Sequence, residues 1–268
     1  MHNLTHEPHV SREVRTGIFL DVICPFLYSS NVPGMHPALP KPLFRLIRSI
    51  RSYMFCRRVR RRVRARDFTL ITNNCIGGLL YNQLGMRFLS PTINIAMGDE
   101  DYIAFCKDLR YYTACPLCDV SAESKKPYPV GRLIPQDEAH RPVELLFVHY
   151  SSFAEAADRW IARAGRINYE KLVFIYTCTG RETPPRGLFS AFESLPGLKL
   201  SILQRPAEGA LHYCILPSCD KETQSQHLLE KMGMTGYRLF NLYDFASFLN
   251  GEAPDAVDLR GVSPYGES

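Results

Sequence analysis

Apolar positions along this chain repeat with two different periods. From Pro42 onward, Leu43, Leu46, Ile47, Ile50 and Met54 recur at helical spacing with Arg45, Arg48 and Arg51 between them, which predicts a basic amphipathic helix over residues 42–66. After Asp67 the pattern changes to short continuous apolar runs bounded by turn residues, the signature of strands buried on both faces. "FTLIT", "TINIAM", "VELLFVHY", "KLVFIYTC", "LKLSILQ" and "LHYCILP" are the predicted strands. Helical patterns fall between them. "IGGLLYNQLG" is ended by Gly85, and "DEDYIAFCKDLRYY" is opened by acidic residues that suit a helix N-terminus. In "SSFAEAADRWIARAGRI", Ser152 and Glu155 stand three apart as a capping box. A further helix is expected from near Pro185 through "GLFSAFESL", and a last one in "YDFASFLNG", stopped at Gly251.

This alternation predicts an α/β domain over 67–251, with a mostly parallel, Rossmann-like three-layer sheet carrying helices on both faces. Residues 1–41, rich in His, Pro and Ser, read as an irregular N-terminal arm, and 252–268 as a flexible tail. Parallel sheets bind ligands beyond the carboxyl ends of their strands. That rule singles out Asn73, Asn74 and Cys75 after one strand, His149 and Tyr150 after another, and Thr177 and Cys178 after a third. These positions share one rim only where their strands are neighbours.

The chemistry at such a rim follows from residue type. A thiol at Cys75, opening a helix, would sit over unpaired backbone N–H groups and the positive end of the helix dipole, which favours the thiolate. Gly77 and Gly78 would let a ligand approach that backbone closely. His149 is a candidate general base for a thiol or a sugar hydroxyl. On the helix that follows, Ala157, Trp160, Ile161 and Ala164 form the expected apolar face. Arg159, Arg163 and Arg166 form a separate stripe, suited to phosphate or carboxylate if it turns toward the rim. "CPLC" lacks the second pair that a zinc site needs, and the acidic "MGDEDY" reads as a helix start, so no metal site is expected.

Composition changes this picture little. The chain has 268 residues, a net charge of +5 and nine cysteines without regular spacing, an odd number that argues against a disulfide framework. No apolar run is long enough to span a bilayer. The chain therefore reads as cytoplasmic. The arginines crowded into "RSIRSYMFCRRVRRRVRAR" offer peripheral attachment to the anionic inner face of a membrane through residues 42–66, or else a solvated helix face. Nucleic acid is disfavoured because no recognition motif accompanies them.

Two blocks together, "DFTLITNNCIGGLLYNQLGMRFLSPTINIAMGDEDYIAF" and "HYSSFAEAADRWIARAGRIN", resemble a bacterial domain-of-unknown-function family associated with exopolysaccharide and capsule biosynthesis. The resemblance covers residues 67 to about 220 and departs from the family pattern in the "CPLCDVSAESKK" and "IPQDEAHRP" loops. It places motif positions on Asn73, Asn74, Cys75, Gly77, Gly78, Tyr81, Ser90, Pro91, Thr92, His149, Tyr150, Trp160, Arg163 and Arg166, and implies a role in polysaccharide assembly.

The leading expectation is an acyltransferase that moves an acyl group from acyl-CoA, a co-substrate rather than a resident cofactor, to a hydroxyl of a sugar or polysaccharide precursor. Cys75 and His149 would be catalytic. Asn73, Asn74, Gly77, Gly78, Tyr81, Ser90, Thr92 and Tyr150 would hold the oxyanion and substrate, and Arg159, Arg163 and Arg166 the donor phosphates. The alternatives are a glycosyl- or sugar-phosphate transferase using a nucleotide sugar, and a non-catalytic assembly protein at the membrane face.

Overall fold

The computed structural model describes residues 41–178, 187–215 and 243–259. The expected N-terminal arm, the helix start near Pro185 and the end of the tail lie outside the described residues. The chain forms two compact units, Met1–Ile50 and Arg51–Ser268. A continuous helix, α1 (Lys41–Arg62), carries the basic segment and stops short of the expected residue 66.

Within the second unit, the apolar runs become the strands that the period predicts. β1 (Thr69–Thr72), β5 (Leu172–Thr177), β6 (Leu198–Leu203), β7 (Tyr213–Ile215) and β8 (Ala256–Asp258) form one sheet in the order β1-β5-β6-β7-β8. Each neighbouring pair is parallel. Side chains alternate between two buried clusters. Leu70, Val173, Ile175, Leu200 and Ile202 belong to one, and Ile71, Phe174, Tyr176 and Leu203 to the other, so both faces of the sheet are covered. β8 falls in the segment expected to be a frayed tail, and its pairing with β7 extends the sheet there.

"VELLFVHY" departs from expectation. Only Val143–Leu146 is strand (β4), and it joins β2 (Leu117–Asp119) and β3 (Val130–Leu133) in a separate antiparallel sheet. The alternating exposure of β4 is what a half-covered antiparallel strand shows. "TINIAM" is not a strand but a turn with one antiparallel bridge, Ala96 to Leu146, which ties the end of β4 to the segment lying outside β1. The order of the described parallel strands runs one way, so it lacks the reversal that opens a ligand crevice in a Rossmann fold.

The helices sit where their patterns put them. α2 (Ile76–Leu84) ends at Gly85, whose φ of 59° is the left-handed conformation that glycine adopts without strain. The acidic-capped pattern breaks at Asp108 into α3 (Asp99–Lys107) and α4 (Leu109–Ala114), because the Asp108 side chain accepts from the Tyr111 N–H and starts a new helix. α5 (Phe153–Ala164) is capped by Ser152, which accepts from the Glu155 N–H at 3.3 Å. α6 (Leu188–Glu193) and α7 (Phe245–Leu249) complete the described helices.

Candidate anion-binding site

β1 is an edge strand, and an edge must have its outward N–H and C=O groups satisfied. Here side chains do what a further strand would do. The Tyr81 hydroxyl accepts from the Leu70 N–H at 3.1 Å and donates to the Phe68 carbonyl at 2.9 Å. Burial pushes that phenol up, well above its ordinary range, so it stays neutral and can do both. Thr92 Oγ1 accepts from the Thr72 N–H at 3.2 Å and lies 3.0 Å from Ser90 Oγ. Tyr81, Ser90 and Thr92 are fully buried in these roles. They close the sheet edge; they do not line an open site.

The turn after β1 is also built inward. The Asn73 carboxamide accepts from the Thr177 N–H and donates to the Thr177 carbonyl, both at 2.9 Å, and so joins the carboxyl ends of β1 and β5 as one more rung of the ladder. Asn74 Oδ1 accepts from the Ile76 N–H at 3.0 Å, and its carbonyl accepts from the Thr72 hydroxyl at 2.7 Å. Both asparagines are buried. Gly77 and Gly78 leave no room for a ligand: a Cβ would come within 3.0 Å of Thr72 Oγ1 at the first and 3.3 Å of an Ile93 methyl at the second. Their role is close packing of α2 against β1 and the 92–94 turn.

Cys75 is half-buried at the start of α2. His149 lies exposed in the turn after β4, on the other sheet. β1 and β5 are neighbours, so their carboxyl ends share one rim as expected, whereas β4 belongs to the other sheet. Tyr150, next along, is tied inward: its hydroxyl donates to the Ile93 carbonyl at 3.2 Å and accepts from Arg163 at 2.7 Å.

The arginine stripe does converge. On α5 the buried side chains are Ala156, Trp160 and Arg163, whereas Ile161, expected on the apolar face, is 68% exposed. That rotation turns Arg163 toward the chain that covers β1. Its Nη1 donates to the Ile93 carbonyl at 3.0 Å, and its guanidinium lies 5.3 Å from the centre of the Phe88 ring. Arg166 Nη1 donates to the Phe88 carbonyl at 3.4 Å. Together with Arg159, Arg87, Phe88, Met86 and Ala162 they line a half-open pocket of about 340 Å³. Desolvation, followed by repulsion from Arg87, Arg163 and Arg159, pulls the Arg166 guanidinium below its usual value.

Among the described residues, no carboxylate forms an ion pair with any of these four arginines. Charges held close without counter-charges are costly unless an anion joins them. Sequence reading found Arg159, Arg163 and Arg166 and missed Arg87. Its only signal was a basic residue just past the Gly85 helix stop, and nothing local places that loop against α5.

These features define an α/β protein with a mostly parallel sheet and, where α5 meets the chain covering its β1 edge, an arginine-lined pocket. The chain belongs to the family described as a domain of unknown function, DUF1919, which matches residues 46–250. It is also similar to an uncharacterized protein of Haemophilus influenzae, 26% identical over 197 residues that cover 72% of this chain and 89% of the relative.

Proposed function

We propose that the chain is a transferase of polysaccharide assembly that holds a phosphorylated donor in the pocket of Arg87, Arg159, Arg163 and Arg166. One observation carries the reading: four guanidiniums share a half-open pocket and have no carboxylate partner among the described residues. Planar forks at several angles suit phosphate oxygens. Acyl-CoA and nucleotide sugars both present a diphosphate, so the pocket serves either donor, and the polysaccharide setting comes from the two sequence blocks quoted above.

If the donor is acyl-CoA, the Cys75 thiolate attacks the thioester and expels CoA as its thiolate. His149 then takes the proton of the sugar hydroxyl as that oxygen attacks the acyl-enzyme, Cys75 leaves again as the thiolate, and the proton passes from His149 through solvent to the CoA thiolate. A thermal-shift and turnover panel of CoA, acetyl-CoA and nucleotide sugars separates the donors. Stabilisation by CoA esters, with turnover abolished in Cys75→Ala and His149→Ala, establishes acyl transfer; stabilisation by nucleotide sugars alone establishes glycosyl or sugar-phosphate transfer. Failure of every phosphorylated donor to bind refutes the reading.

A peripheral membrane role rests on a separate observation. On α1, Tyr53 and Met54 are 67% and 64% exposed, beside exposed Arg57, Arg58 and Arg61. Apolar and basic side chains on one exposed helix face suit an anionic bilayer surface. Co-sedimentation with anionic vesicles, lost in a triple Arg57→Glu, Arg58→Glu, Arg61→Glu variant and absent with neutral vesicles, is the expected result. Equal sedimentation of the variant counts against it.

A further inference from the structure

Diphosphate groups are commonly held in one of two ways: through a divalent cation fixed by carboxylates, or directly by N–H donors. The pocket beside β1 contains none of the side chains that the first way needs. Its lining is Arg87, Arg159, Arg163 and Arg166 with Met86, Phe88 and Ala162; no Asp, Glu, His or Cys is among them.

The four guanidiniums are not equivalent. Arg163 uses Nη1 on the Ile93 carbonyl and the Tyr150 hydroxyl, at 3.0 and 2.7 Å, and Arg166 uses Nη1 on the Phe88 carbonyl. These bonds fix the two side chains and leave their remaining N–H donors for a ligand. Arg87 and Arg159 are exposed and, among the described residues, make no hydrogen bond or ion pair. The pocket thus has a preorganised floor of two guanidiniums and two more that can close over an occupant. A lone phosphate offers its oxygens around one centre and leaves part of this ring of donors unmatched. Two linked phosphoryl groups offer one face to the fixed pair and another to the exposed pair, with bidentate geometry at each.

We propose that this pocket takes a diphosphate group directly, neutralised by the four arginines and without a divalent cation, Arg163 and Arg166 seating one phosphoryl and Arg87 and Arg159 closing on the other. The proposal rests on the phosphorylated-donor reading above and narrows it to a metal-independent diphosphate site. Tyr150, which does not reach the pocket lining itself, is a positioning residue that holds Arg163 in place.

Titration calorimetry on the full chain tests this, with inorganic pyrophosphate and orthophosphate as probes, in EDTA and then in excess Mg²⁺. The expected result is that pyrophosphate binds in EDTA at least about tenfold more tightly than orthophosphate, each additional charge-assisted contact being worth that much. Excess Mg²⁺, which occupies the same oxygens, should weaken binding. Arg159→Ala and Arg87→Ala should each weaken pyrophosphate binding by about tenfold or more, while Lys125→Ala, an exposed substitution elsewhere, leaves it unchanged. Tyr150→Phe, which frees Arg163 in the floor that either anion occupies, should weaken both anions by a similar factor, whereas Arg87→Ala and Arg159→Ala should weaken pyrophosphate more than orthophosphate.

Three outcomes would overturn the proposal: equal affinity for the two anions, a requirement for Mg²⁺, or undiminished binding in both arginine variants. Equal affinity would still leave a phosphoanion site. Failure of pyrophosphate, orthophosphate, CoA and nucleotide sugars alike would remove that broader reading as well.

Discussion

Asn73 fills both hydrogen-bonding positions of the Thr177 backbone with one side chain, across 104 residues of sequence. Replacing it with Ala leaves a buried N–H and a buried carbonyl without partners, and each such loss costs about 1–3 kcal/mol. Asn73→Ala is therefore expected to lower stability by about 2–5 kcal/mol in urea denaturation, with the same phosphate affinity per folded molecule. Undiminished stability with lost ligand binding would move Asn73 back into the site. Tyr81→Phe removes the two edge bonds but keeps the ring, which lies 6.0 Å from that of Phe68; a loss of about 1–3 kcal/mol is expected. At this scale the sequence was half legible. Two asparagines and a cysteine after an apolar run announce a turn, and they form one. What the side chains point at depends on which strand lies alongside, and a partner 104 residues away leaves no local trace.

At the level of elements, α2 lies against β1 because Gly77 has no side chain. The Cβ of Gly77→Ala would approach Thr72 Oγ1 to 3.0 Å and Thr72 Cγ2 to 3.1 Å, and that hydroxyl already holds the Asn74 carbonyl. Alanine is the better helix former by about 1 kcal/mol, so a net destabilisation of about 1–2 kcal/mol is expected from the overpacking. Gly78→Ala, with 3.3 Å to Ile93, should cost less; the reverse order in thermal melts would show that α2 does not sit this close.

The loop before β4 is tied down by charge. His140 stacks on Tyr111 at 3.8 Å and meets Asp137 at 2.8 Å and Asp108 at 3.3 Å. The Asp137 hydrogen bond raises the His140 pKa, and His140 in turn pulls the Asp137 carboxyl down to about 2. The histidine's contribution is full below its unfolded value near 6.5 and is lost as pH rises through its raised folded value. The aspartate's is present above 3.8 and is lost as pH falls toward about 2. The stability gap between wild type and Asp137→Asn should therefore be widest between about pH 4 and 6.5 and narrow above that range as His140 loses its proton. A gap independent of pH would mean the pair contributes nothing. Element prediction followed run length. The continuous apolar runs that became β1, β5 and β6 were plain, whereas β2, β3 and β8, of three or four residues each, have too little pattern to separate from loop. β4 was found but put in the wrong sheet, because a strand's partner depends on tertiary packing.

Across the second unit, the basic segment and the pocket call for different tests. Val59 and Val63 of the basic segment are buried in the core, Arg62 pairs with Asp244 at 2.6 Å, and the Arg64 backbone N–H donates to the Asn250 side chain at 2.9 Å. Deleting the helix would therefore damage the fold, and its membrane role has to be tested by charge reversal on its exposed side. The pocket allows a cleaner experiment. It is formed where α5 meets the chain that covers the β1 edge, with Arg163 and Arg166 holding carbonyls of that chain. An anion bound there ties the two together, so occupancy should stabilise the whole cooperative unit. A ligand at 100 times its dissociation constant adds about 2.7 kcal/mol, which for a unit of this size raises the melting temperature by about 5–10 °C. Arg159→Ala removes an exposed side chain that has no partner among the described residues, so the ligand-free melting temperature should stay within about 1 °C of wild type, while the shift caused by pyrophosphate at the same concentration should fall to about half its wild-type size or less. A fall in the ligand-free value would give Arg159 a structural role. An undiminished shift would place the anion elsewhere on the molecule.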